Sequence, residues 1–160
     1  MKKHLFFVGL IAILFFGACK NPNPPLTDAQ KAVIEKQVLD QLEKMNVSVE
    51  MADADGYNTF ISSNNFLSMI SQGTPFFTRD EYAMAVKDWF SQRKSVELSQ
   101  KTIKVNVLTE NLVLLNQSAI FQATFKDDRT FVIHHTVSFL FQKEESGWKI
   151  IHGHESWETM

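Results

Sequence analysis

The chain has 160 residues, with 16 Lys and Arg against 18 Asp and Glu, for a formal net charge of −2. That length suits one domain with one sizeable core, and so even a balance, with no basic cluster, argues against nucleic acid as a partner. A single cysteine excludes an intramolecular disulfide, so packing has to supply stability, and 14 Phe, 3 Trp and 2 Tyr are available for it.

Residues 1–18 read as a bacterial export signal. Lys2 and Lys3 give a positive start, and the apolar run Leu5 to Phe16 suits a signal-peptide core. It is short for a transmembrane helix, which needs about 20 residues. Phe16-Gly17-Ala18-Cys19 resembles a lipobox, in which two small residues let a peptidase reach the bond before the cysteine; Phe16 stands where Leu is usual. An ordinary secretory peptide is the alternative. Lipidation at Cys19 would anchor the protein in the bacterial cell envelope, facing the periplasm or the outside. Lys20 is not the aspartate that often retains such proteins at the inner membrane, so the outer membrane is preferred. Residues 19–26, with Pro24-Pro25, form the expected lipidated tether to a domain spanning 27–160. That domain would touch the membrane only through its N-terminal lipid.

Thr27 and Gln30 have capping-box spacing, and Ile34, Val38, Leu42 and Met45 recur at helical spacing, predicting a helix from about 28 to the high forties. Asp53-Ala54-Asp55-Gly56 punctuates the chain. A short helix or turn is predicted at Gly56 to Ile61, and a short strand at Phe66 to Ile70. Thr78 and Glu81 repeat the capping box, and Tyr82, Ala85, Val86, Trp89 and Phe90 make one apolar face behind it. From about Val96 the period becomes two. Strands are predicted at 97–108, 112–125, 131–143 and 148–157, with turns at Glu110-Asn111, Lys126 to Arg129 and Glu144 to Gly147. Short connections make these four an antiparallel meander, and helices followed by strands give an α+β plan.

The closing segment, Gly147-Trp148-Lys149-Ile150-Ile151-His152-Gly153-His154-Glu155-Ser156, together with the order of elements and Asp53-Ala54-Asp55-Gly56, resembles the SnoaL-like or DUF4440-like branch of the nuclear transport factor 2-like superfamily. The resemblance covers about residues 28–158. It implies a cone, with N-terminal helices packed on a strongly curved antiparallel sheet around a pocket, and a homodimer formed through the sheet. It says little about chemistry, because that superfamily mixes isomerases, dehydratases, cyclases, hydrolases and binding domains. The Tyr–Asp constellation of its ketosteroid-isomerase-like members is not matched, since the first predicted helix has no tyrosine.

Five histidines offer the most direct chemistry. Regular alternation puts His152, His154 and Ser156 on one face with Trp148 and Ile150. His134 and His135 face opposite ways; His135 shares a face with Phe131, Ile133, Val137, Phe139 and Phe141. His154, His152, His135, Ser156, Tyr57 and Trp89 are the candidate ligand-binding residues. For catalysis the candidates are His154 or His152 as general base, with Asp55 or Asp53 as acidic partner. Three histidines could hold zinc, but no Cys or clear acidic ligand joins them, so neither metal nor cofactor is expected. Tyr82, Trp89 and Phe90 read first as core.

The favoured reading is a lipid-anchored envelope domain binding a small, mainly apolar or amphipathic ligand without catalysis. Its alternatives are a small isomerase, dehydratase or cyclase using a pocket histidine as base, and a structural or accessory homodimer whose interior is filled by Phe60, Met84 and Trp89. The interior decides between them. A polar-lined cavity supports a ligand, and a His–carboxylate contact inside it supports chemistry.

Overall fold

The computed structural model describes residues 25–160, so the export signal, Cys19 and most of the expected tether lie outside the described residues. Helix α1 spans Asp28–Glu50 and opens on the predicted capping box, with Gln30 N–H donating to Thr27 Oγ1 and Thr27 N–H donating to Gln30 Oε1. Its buried stripe is Ile34, Val38, Leu42 and Met45, joined by Asn46. Helix α2, Ala54–Asn58, is capped by Asp53, whose Oδ1 accepts from Gly56 N–H at 2.9 Å. Two short strands follow, β1 at Ser68–Ser71 and β2 at Thr74–Phe76, the second of which the sequence pattern does not reveal. Helix α3, Arg79–Ser91, starts on the Thr78–Glu81 capping box and buries Tyr82, Val86 and Phe90. Then come β3 (Arg93–Thr109), β4 (Leu112–Phe125), β5 (Thr130–Glu144) and β6 (Gly147–Thr159), the predicted meander. Among the described residues no helix is long and apolar enough to cross a membrane.

The expected cone, with a strongly curved antiparallel sheet, is not the architecture. The six strands form one open, mixed sheet in the order β2-β1-β6-β5-β4-β3, and it does not close on itself. Strand β1 runs parallel to β6, pairing Ser68 with His152 and Ser71 with Glu155, while the other pairs are antiparallel. The physical reason is that turn signals fix only local pairings. The meander's hairpins can be read from its turns, but β1 meets β6 across more than eighty residues of chain, and nothing local sets its direction.

One irregularity decides which side chains reach the interior. In the β5–β6 ladder Phe141 pairs with Ile150, but Leu140 pairs with His152, so Ile151 is an extra residue. This β-bulge shifts the alternation of β6 by one position. Trp148 and Ile150 are buried before it; Gly153 and Glu155 are buried after it, and His154 and Ser156 are exposed. Trp148 ties this strand to α1, because its indole N–H donates to Gln37 Oε1 at 3.2 Å and its carbonyl accepts from Gln41 Nε2 at 3.3 Å.

The buried apolar residues fall into two clusters. The larger joins α1, α2 and α3 to the sheet through Val38, Leu42, Tyr82, Val113, Phe139 and Ile150. The smaller lies on β3, β4 and β5 around Leu98, Phe121 and Ile133. Half-buried Val49, near the end of α1, packs against both.

Candidate active site

Between the two clusters lies a cavity of about 250 Å³. Its wall is mostly apolar, from Met45, Val49, Val86, Trp89, Leu98, Phe121, Phe131, Val137 and Trp157. Asn46 of α1, Tyr57 of α2, Tyr82 of α3, Arg93 of β3, Gln117 of β4, His135 of β5 and Glu155 of β6 bring polar groups into it. A mainly apolar cavity with a few convergent polar groups is the usual build of a small-molecule site.

The bulge creates the central contact. It sets Trp157 opposite His135 and Glu155 opposite Val137, which makes His135 and Glu155 diagonal neighbours on the inward face. His135 Nε2 stands 3.3 Å from Glu155 Oε2, with the two side chains only 16% and 11% exposed. Nε2–H donating to the carboxylate fixes the tautomer whose Nδ1 keeps its lone pair, and no hydrogen bond among the described residues occupies that nitrogen. Phe121 and Trp157 flank the imidazole, with centroids at 5.8 Å and 6.4 Å.

Two phenols complete the polar group. Tyr57 and Tyr82 hydroxyl oxygens are 3.1 Å apart. Burial pushes both phenols above their ordinary value of 10.0; for Tyr57 the charge of Glu155 adds to this, and for Tyr82 the neighbouring Tyr57 and then Glu155 do so. Both hydroxyls therefore stay protonated; one donates to the other, which leaves the pair a single O–H to offer a ligand. Burial also lowers the basicity of Arg93, and the field of Glu155 opposes that.

Unpartnered atoms concentrate here. Of the seven buried side-chain nitrogen or oxygen atoms without a hydrogen-bond partner among the described residues, four belong to residues lining this cavity: Asn46 Nδ2, Arg93 Nε, Gln117 Oε1 and Glu155 Oε1. A buried polar atom left unpaired costs about 1–3 kcal/mol, so such a cluster marks a place where ordered water or a bound ligand completes the hydrogen bonding.

Of the residues singled out in the sequence, His135, Tyr57 and Trp89 line the cavity. His152, His154 and Ser156 do not. His152 Nδ1 is held by Ser68, 2.9 Å from its Oγ and 3.1 Å from its carbonyl oxygen. His154 and Ser156 sit on the opposite, exposed face of β6. Asp55 is exposed and pairs with Lys87 at 2.9 Å, and Asp53 caps α2. Of the side chains expected to fill the interior, Met84 is 65% exposed, Phe60 lies in the larger cluster and Trp89 leaves the cavity open beside it. Among the described residues no three His, Cys, Asp or Glu gather to hold a metal ion.

Sequence reasoning did not find Glu155, Arg93, Gln117 or Asn46. For Glu155 regular alternation pointed the wrong way because the bulge leaves no local signal. Arg93, at the junction of α3 and β3, has no motif around it. Gln117 carries a readable trace, since it is a polar residue in phase with Val113, Leu115, Ala119 and Phe121.

A family model described as a SnoaL-like domain matches residues 38–160. No functionally curated protein matches the chain. Among solved structures, a candidate scytalone dehydratase from Novosphingobium aromaticivorans superposes with a TM-score of 0.74 at 8% identity, covering 83% of this chain and 89% of that one. A candidate dehydratase of the NTF2-like family from Streptomyces avermitilis gives 0.69 at 12% identity, covering 78% and 96%. A hexachlorocyclohexane dehydrochlorinase from Novosphingobium barchaimii gives 0.66 at 8% identity, covering 82% and 91%. At such identities the likeness is one of fold.

Proposed function

The chain belongs to the SnoaL-like domain family, within the NTF2-like superfamily, and we propose that it is a small lyase that removes a carbon-bound proton and a neighbouring leaving group from a mainly apolar substrate. The observation that carries this reading is the His135–Glu155 contact inside an apolar cavity. A histidine oriented by a buried carboxylate is a general base, and the imidazolium it becomes is stabilised by that carboxylate. His135 Nδ1 takes the proton, the C–H electron pair forms the double bond, and the leaving hydroxyl departs with its bonding pair. The same imidazolium then delivers the proton to that hydroxyl, so water leaves and His135 returns to its neutral form. The Tyr57–Tyr82 pair, kept neutral by burial, offers the one O–H not used between the two hydroxyls to the oxygen on which charge develops. The likeness in fold to candidate dehydratases and a dehydrochlorinase favours elimination over plain binding.

The test is formation of a conjugated double bond from a panel of β-hydroxy aryl ketones, followed by ultraviolet absorbance. His135→Gln should lower turnover by about 10²- to 10⁴-fold, and Glu155→Gln should lower it substantially while leaving the fold intact. Wild-type protein that makes no more product than His135→Gln would overturn the assignment.

Independently of the chemistry, we propose that the domain is held in the bacterial cell envelope by a lipid on Cys19 and works as a homodimer, as its family resemblance implies. The sole cysteine and the small residues before it support the tether. Cys19→Ser should move the protein from the membrane fraction to the soluble periplasm or leave it unprocessed; unchanged acylation and membrane association would defeat it.

A further inference from the structure

The lyase reading leaves one strongly charged group of the cavity unused. Among the described residues Arg93 is the only Lys or Arg in the cavity wall, and its Nε is buried with no hydrogen-bond partner among them. The cavity's one carboxylate, Glu155, is paired with His135 instead. Phe90 and Phe121 hold the guanidinium, with Cζ 5.5 Å and 5.1 Å from their ring centroids. Cation–π contact fixes the plane of such a group while leaving its N–H edge free. A charge taken out of water is costly unless something of opposite sign meets it.

A second observation sets Arg93 between the cavity and the outside, as the mouth of the cavity would require. It also lines an open recess on the outside of the fold, together with Lys87, Lys94 and Lys126 and with the carboxylates Asp53 and Asp55. Lys87 is engaged by Asp55 and Lys94 by Asp128; Arg93 appears in no ion pair among the described residues. Four cations against two carboxylates leave the recess a positive excess, and a guanidinium shared by it and the interior is suited to draw in an anion and hold it there. From that position the way to the base is short. Arg93 touches the ring of Phe121, and the same ring lies 5.8 Å from the imidazole of His135.

We infer that the substrate is an amphipathic carboxylate, whose acid group is clamped by Arg93 at the mouth while its apolar body reaches inward to His135. A carboxylate fits better than a bulkier anion, because it matches the guanidinium fork with two parallel hydrogen bonds and is small enough for a cavity of about 250 Å³. This rests on the lyase reading for which end reacts, but not for which end binds.

Binding separates the two claims. The wild-type domain is titrated with 3-phenylpropanoate and with its neutral amide, 3-phenylpropanamide, at low salt, following tryptophan fluorescence or heat. The carboxylate should bind about 10- to 100-fold more tightly, the scale of a charge-assisted pair. Arg93→Gln should bring the two affinities together, and Arg93→Lys should keep part of the preference, which guards against a fold defect in the first variant. His154→Ala, on the exposed face of β6, should keep the full preference. Equal affinity for acid and amide in wild type, no binding of the acid, or a preference surviving in Arg93→Gln would each overturn the clamp. Equal affinity for acid and amide in a wild-type protein that still eliminates would refute the clamp alone, and an intact wild-type preference with no elimination would refute the lyase alone.

Discussion

A histidine at an apolar wall is only as useful as the group that holds it, and here Glu155 fixes the ring while two phenols stand across the cavity. The phenols make a prediction of their own. Tyr57 and Tyr82 are the only tyrosines in the chain, and burial raises both above 10.0. Below pH 10 folded and unfolded chains keep these protons alike, so the pair adds no pH dependence. Above it the unfolded chain releases protons that the folded chain retains, so stability falls as pH rises from about 10. Denaturant unfolding measured between pH 8 and 12 should show this fall, and it should be shallower in the double variant Tyr57→Phe, Tyr82→Phe. Identical curves for the two proteins would mean that the hydroxyls reach solvent. Residue type made His135 and Tyr57 legible from the sequence as candidates. What made their neighbours illegible was register: Glu155 belongs to the site only because Ile151 adds one residue to its strand.

At the scale of elements, caps and periods were strong signals. Both capping boxes formed, and the four long strands stand where the alternation predicted strands, although β6 changes phase at Ile151. The mixed sheet and the bulge were not legible, because each depends on a partner strand rather than on local sequence. Gly153 tests the shifted phase directly. With regular alternation it would face outward and tolerate a side chain. In the bulged strand it faces inward, where an added Cβ would press on the Met69 side chain and stand 2.8 Å from the Phe139 ring. Gly153→Ala should therefore destabilise the fold by about 1–3 kcal/mol, the scale of overpacking in a filled core. His154→Ala, one position along on the exposed face, should stay within about 0.5 kcal/mol. Chemical denaturation of both variants decides it, and a neutral Gly153→Ala would remove the bulge from the account and the site with it.

The whole molecule explains why a cavity exists at all. A chain of this size ordinarily condenses around one core, yet here the helix-covered cluster and the β3–β5 cluster stop short of merging, and the cavity occupies the seam between them. Four of its buried polar atoms have no protein partner among the described residues, and an open space of this kind is one that selection for stability alone would remove. The seam should therefore be fillable at a gain. Val49 packs against both clusters and lines the cavity, so Val49→Phe can place a ring in that space without cutting into either cluster. We expect it to raise stability by about 1 kcal/mol, as cavity-filling changes commonly do, and to abolish both carboxylate binding and elimination. Thermal and denaturant unfolding give the first quantity, and the acid titration gives the second. Val49→Phe that loses stability while ligand affinity stays unchanged would place the binding site elsewhere in the molecule; a gain in stability paired with loss of binding would show that the open seam is kept for its occupant.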